Sequence, residues 1–144
     1  MTTEAMLRVI AETRDYYVAQ AQPFGWNKER QVCCYLDERT GARCAIGRYI
    51  GDDVIEELLT PLDATDPDWQ DMGIADFIQM DPNILPRVPL RFLKDLQAAH
   101  DDVAHAEGMY KSRPARNRAG RYDAREEMDQ ALDRLQAKVL AGDY

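Results

Sequence analysis

The chain has 144 residues, 45% of them hydrophobic, with only eight Gly and seven Pro, a composition that supports one globular domain over residues 1–144 and excludes a disordered chain. Eighteen Lys and Arg against 26 Asp and Glu leave a net charge of −8, which argues against generic binding of DNA or RNA, where a basic footprint is expected. No stretch approaches the roughly 20 apolar residues of a membrane span, and Met1-Thr2-Thr3-Glu4 lacks the cationic and apolar parts of a secretory signal.

The first predicted element is a helix from Thr3 to Ala21, with Met6, Leu7, Ile10, Tyr17, Val18 and Ala21 recurring at helical spacing and Pro23 with Gly25 ending it. Gln31-Val32-Cys33-Cys34-Tyr35-Leu36 follows, a β-branched and aromatic run. With the turn Asp37–Gly41 and the return Ala42–Ala45 it predicts a β-hairpin in which Gly41 supplies a left-handed turn position. A lone hairpin is marginal in water and must lie against helices. Asp52 or Asp53 is positioned to cap a short helix ending at Leu59, and Asp66-Pro67 reads as another helix start. A long helix is expected from Pro89 to about Glu107 on the apolar stripe Leu90, Phe92, Leu93, Leu96, Ala99, His100 and Val103. A last helix runs from about Asp123 to Leu140, with Met128, Leu132, Leu135 and Val139 as a heptad seam. The expected class is mainly α with one small β-hairpin (α+β), helices packed around the hairpin and a C-terminal heptad helix. The seam serves either the domain's own core or a homodimer.

Charge is segregated along the chain. Ten acidic residues and no Lys or Arg lie between Tyr49 and Pro86; the five cations Lys111, Arg113, Arg116, Arg118 and Arg121 lie together with no acid among them. The acidic block is read either as Asp used in helix caps and turns or as a negative surface for a basic partner or for mimicry of phosphates. The basic block either grips phosphates or folds onto the protein's own acids. The residues singled out for binding are Asp63, Asp66, Asp68 and Asp71 in the first block and Arg113, Arg116, Arg118 and Arg121 in the second.

Catalytic and metal signatures are weak, so no catalytic residue, metal or cofactor is assigned. Cys33, Cys34 and Cys44 are too few and odd in number for a secreted disulfide framework, which points to a reducing cytoplasm. Cys34 and Cys44, on the two sides of the predicted hairpin, and His100 are the only metal-ligand candidates, and their spacing lacks the paired C-x-x-C or H-x₃₋₅-H form of structural zinc sites. His100 and His105 are five apart, about 140° around a helix, and cannot both face one ion. The run from Asp63 to Asp71 lacks the Gly and terminal Glu of a calcium loop, and there is no phosphate loop or G-x-S-x-G.

The stretch Cys34-Tyr35 … Gly41-Ala42-Arg43-Cys44-Ala45-Ile46-Gly47-Arg48-Tyr49-Ile50, followed by Phe92-Leu93-Lys94-Asp95-Leu96-Gln97-Ala98-Ala99-His100-Asp101, resembles small uncharacterised accessory proteins of tailed bacteriophages. Their pattern is C-x-Y, a short turn, G-x-x-C-A-[IV]-G, a variable acidic middle, then L-Q-x-x-H-D. The match covers about a third of the chain and departs at the end, where those proteins close with a Trp-containing helix. The resemblance implies an accessory phage protein in the host bacterial cytoplasm and supplies no activity. Physically the motif reads as architecture: Gly47 for close packing, Tyr35 and Ile46 in the core, and His100 bonded to the hairpin backbone.

The expectation is a non-enzymatic protein that binds a host protein involved in defence or growth control, with Met128, Leu132, Leu135 and Val139 as a possible homodimer seam. The alternative is a nucleic-acid role, through DNA mimicry by the acidic middle or direct binding by residues 111–121.

Overall fold

A computed structural model describes residues 2–27, 29, 32–37, 39–59, 71–113 and 122–144. Among them five α-helices dominate: α1 (Thr2–Arg14), α2 (Asp52–Leu59), α3 (Ile74–Met80), α4 (Leu90–Ser112) and α5 (Ala124–Leu140). Two two-residue strands, β1 (Trp26–Asn27) and β2 (Val32–Cys33), pair antiparallel with Trp26 opposite Cys33. The class is mainly α with one small β-hairpin, as the periodicities predict.

Helix α5 packs against both α1 and α4. Its four-three-four apolar spacing turns Met128, Leu132, Leu135 and Val139 to one side, where all four are buried in the core with Met6, Ile10, Phe92, Leu93 and Leu96. The heptad seam is thus occupied inside the chain and is not an exposed surface for a second copy. Asp123 caps α5, its carboxylate accepting the amides of Arg125 and Glu126 at 3.1 and 3.4 Å. On its flank Arg14 forks between Asp129 and Asp133, fixing α1 on α5.

The first helix does not run evenly to Ala21. After Arg14 it widens into a π-helical turn over Asp15–Ala19, closed by the Gln20 amide on the Asp15 carbonyl at 2.8 Å. The added residue per turn shifts the register: Tyr17 is buried, whereas Ala21, counted in the apolar stripe, is exposed and leaves the helix at a left-handed φ of 53°.

The predicted turn is present. Gly41 has φ 75°, its amide donates to the Asp37 carbonyl at 2.7 Å, and Leu36 bridges Arg43 antiparallel. The ladder beyond it is not the expected one. Segment 24–27 takes the place beside β2 that the sequence offers to Ala42–Ala45, with the Gly25 amide on the Arg43 carbonyl (3.0 Å) and the Cys34 amide on the Gly25 carbonyl (3.4 Å). Freed from the ladder, Cys44–Tyr49 folds into a tight turn ending in a 3₁₀ turn, Gly47–Tyr49. The hairpin rests against α4, alongside the helical core.

Helix α2 ends at Leu59 as predicted, but Asp52 and Asp53, expected as its cap, lie inside its first turn behind Gly51, and α4 continues five residues past Glu107 to Ser112. The helix start at Asp66-Pro67 lies outside the described residues.

Because Leu132 is fully buried, Leu132→Ala lowers the unfolding free energy by about 3 kcal/mol. Leu140→Ala, at a side chain 64% exposed, changes it by less than about 0.5 kcal/mol. Urea denaturation of both variants checks the phase of the helix.

Candidate functional site

The most densely connected place in the described structure is where the two halves of the sequence pattern meet. Arg43 is bonded through both backbone and side chain. Its carbonyl accepts the Gly25 amide and the Tyr17 hydroxyl (2.7 Å); its guanidinium donates to the carbonyls of Gly47 (3.1 Å) and Ile50 (2.8 Å) and to Asp52 (2.7 Å). Cys44, Ala45 and Ile46 are fully buried. The Cys44 sulfur accepts the Gly47 amide at 3.2 Å. Gly47 lies so close under Tyr35 that an added Cβ would stand 1.9 Å from the Tyr35 carbonyl oxygen, and at Gly25 it would stand 2.4 Å from the Cys34 carbonyl oxygen and 2.5 Å from the Cys44 nitrogen. Only residues without a side chain fit these two crossings.

Helix α4 receives this turn through one side chain. Gln97 Oε1 accepts the buried Ile46 amide at 3.1 Å, and Gln97 Nε2 donates to Asp101 Oδ1 at 2.6 Å. His100 Nδ1 lies 2.9 Å from the same Asp101 oxygen. The expectation that His100 bonds the hairpin backbone is therefore corrected: Gln97 makes that bond. His100, fully buried, packs beside the stacked rings of Tyr17 and Phe24, with centroids 5.4 and 5.3 Å away. Its Nε2 has no hydrogen-bond partner among the described residues.

The metal-ligand candidates do not converge. Cys34 and Cys44 are free thiols; the Cys34 thiol donates to the Leu36 carbonyl at 3.0 Å, and Cys44 is engaged with Gly47. Among the described residues no group of three His, Cys, Asp or Glu side chains is placed to hold an ion. His105 is exposed on α4, its ring 5.6 Å from that of Trp26, and does not approach the His100 environment.

Of the singled-out binding residues, Asp71 and Arg113 are described and both are exposed; Asp63, Asp66, Asp68, Arg116, Arg118 and Arg121 lie outside the described residues. The rest of the acidic block divides in two. Asp76 accepts the Gly73 amide at 2.7 Å at the start of α3, and Asp81 accepts the Asn83 amide at 2.9 Å, the capping and turn work expected of Asp. Asp52, Asp53, Glu56 and Glu57 instead fall within one arc of α2 at 100° per residue, and all four are exposed, while Ile55 on the other side is buried. A carboxylate face on α2 is a more specific feature than the run from Asp63 to Asp71 picked from sequence, and the spacing D-D-x-x-E-E in a predicted helix was the signal for it.

The tyrosine hydroxyls report how the helices close on one another. Burial, followed by the nearby carboxylates of Glu127 and Glu107, pushes Tyr122 up to about 12; its hydroxyl donates to the Val103 carbonyl at 3.2 Å, tying the start of α5 to α4. Burial also raises Tyr49, against the lowering effect of Arg48, whose guanidinium lies 4.1 Å over the Tyr49 ring. No helix among the described residues is long and apolar enough to cross a membrane.

No family model, curated protein or solved structure matches the chain.

Two outcomes follow from this geometry. Gly47→Ala forces a Cβ into the Tyr35 backbone and costs about 3 kcal/mol, whereas Gly41→Ala, in open space at positive φ, costs about 1 kcal/mol; chemical denaturation ranks the pair. A raised tyrosine pKa favours the folded state while the hydroxyl is neutral. Its contribution is complete below the unfolded value of 10.0 and is lost as pH rises toward about 12. Tyr122→Phe therefore gives a shallower loss of stability across that interval, measurable by thermal unfolding at stepped pH.

Proposed function

We propose that this chain is an accessory protein of a tailed phage that binds a basic surface on a host protein, in the host cytoplasm, without catalysing a reaction on it. The observation that carries the reading is the α2 face. Four carboxylates within two helical turns, Asp52, Asp53, Glu56 and Glu57, are all exposed, in a stretch from Tyr49 to Pro86 that holds no Lys or Arg. Asp53 and Glu57, four residues apart, repel each other by a few tenths of a kcal/mol. Asp52 is held by Arg43 at 2.7 Å, and a cationic partner relieves the repulsion between Asp53 and Glu57. A concentrated negative face also accelerates encounter with a positive one.

The phage assignment rests on the G-A-R-C-A-I-G and L-Q-A-A-H-D segments. Their junction gives most of the pattern a packing role, with Arg43, Gly47 and Gln97 holding the fold and α2 presented beside it through the Arg43–Asp52 ion pair at 2.7 Å. A host target in defence or growth control fits a phage accessory protein.

A second reading draws on the same face: carboxylates spaced along a helix stand in for the phosphates of DNA, and the partner is a DNA-binding enzyme. Direct contact with nucleic acid through the basic run from Lys111 to Arg121 is the other form of this reading.

The test is affinity capture of tagged protein from nuclease-treated bacterial lysate, beside a variant carrying Asp52→Asn, Asp53→Asn, Glu56→Gln and Glu57→Gln. The expected result is a stoichiometric basic host protein that the wild type retains, that the variant loses, and that salt elutes. Equal retention by both proteins contradicts the α2 face as the binding surface. Recovery of a known DNA-binding enzyme selects the mimicry reading, and recovery only without nuclease selects the basic run.

A further inference from the structure

Helices α4 and α5 lie antiparallel, with Asp95 beside Lys138 (3.6 Å) at one end and Val103 beside Tyr122 at the other. On the flank of α5 away from Arg14 they leave an open groove of about 450 Å³. Its floor carries Ala99 of α4 and Ala131 of α5, small enough to let another helix approach closely. Glu127 and Arg134 stand at its edge, both exposed and neither in an ion pair among the described residues. They are seven residues apart, two turns of one helix face, with Ala131 between them.

That order is self-complementary. Two α5 helices laid antiparallel about a two-fold axis near Ala131 place each Glu127 opposite the Arg134 of the other copy. Two reciprocal ion pairs then flank the axis above the nearly buried Ala131, the isologous form that a two-fold interface requires. The net charge of −8 opposes association. At physiological ionic strength that repulsion is screened beyond about 8 Å, whereas pairs in direct contact are screened much less. Local complementarity therefore sets the outcome.

We propose that the α4–α5 groove is a self-association surface, occupied by α5 of a second copy through Glu127–Arg134 pairs. It is a different surface from the buried heptad seam, and it does not depend on the binding role of α2.

Sedimentation velocity over a range of protein concentrations at about 0.15 M salt tests it, with circular dichroism confirming that each variant is folded. The wild type is expected to dimerise reversibly. Glu127→Arg alone and Arg134→Glu alone should each weaken the dimer at least about tenfold, and the double exchange should restore it, since the pairs re-form with their signs swapped. A wild type that sediments as a monomer throughout overturns the proposal and leaves the groove to another partner. A dimer indifferent to both single changes, or a double exchange no better than either, overturns it as well.

Discussion

The amide of Ile46 is buried in a turn with no strand beside it, and it must find an acceptor or destabilise the fold by about 1–3 kcal/mol. It finds Gln97 Oε1, 51 residues further along the chain. The same side chain continues to Asp101, which also receives His100, so one amide group fixes the turn to α4 and orders the polar groups on that helix face. The close crossings at Gly25 and Gly47, the bonds of Arg43 and the inward turn of Tyr17 all converge on this anchored turn. Remove the anchor and the turn loses its polar tie to α4, keeping those to the first helix through Tyr17 and Arg48, while the ladder beside it is only two residues long on each side.

Helix content was legible in the sequence because it is written in apolar spacing and caps. The α5 seam, the extent of α5 from about Asp123 to Leu140 and the end of α2 at Leu59 follow from local pattern alone. The hairpin was legible as a turn at Gly41 but not as a pairing: the competing strand, 24–27, contains Gly25 and follows Pro23, which local rules read as a helix stop. Its place is decided by the Gly25 amide reaching Arg43, a tertiary contact with no local signature. The π turn was hidden for a related reason. An extra residue per turn is favoured by Tyr17 reaching the Arg43 carbonyl and by its stacking on Phe24, and nothing between Asp15 and Ala19 announces either.

The candidate site was legible in part. Tyr35, Ile46 and Gly47 take the packing roles their residue types imply, yet the polar link was assigned to His100, the residue with chemical interest, when Gln97 makes it. Gln97 sits between apolar neighbours on a helical stripe, and a buried amide there signals a backbone partner to be satisfied. For binding, attention fell on Asp63 to Asp71, of which Asp71 alone among the four acids is described, whereas α2 carries four exposed carboxylates and Asp76 and Asp81 have local capping duties. The molecule thus separates its tasks. A motif-built junction holds the fold, one helix carries a carboxylate face, and the outer side of α5 offers a mixed-charge groove.

Hydrogen exchange at the Ile46 amide, in the wild type and in Gln97→Leu, tests the central role of this anchor most directly. The account predicts that Ile46 is among the slowest amides of the wild type. In the variant its protection falls at least about tenfold relative to that of Leu132 in α5, since a lost buried bond of about 1.4 kcal/mol or more opens the turn locally. Rapid exchange of Ile46 in the wild type, or equal changes at Ile46 and Leu132, would contradict it.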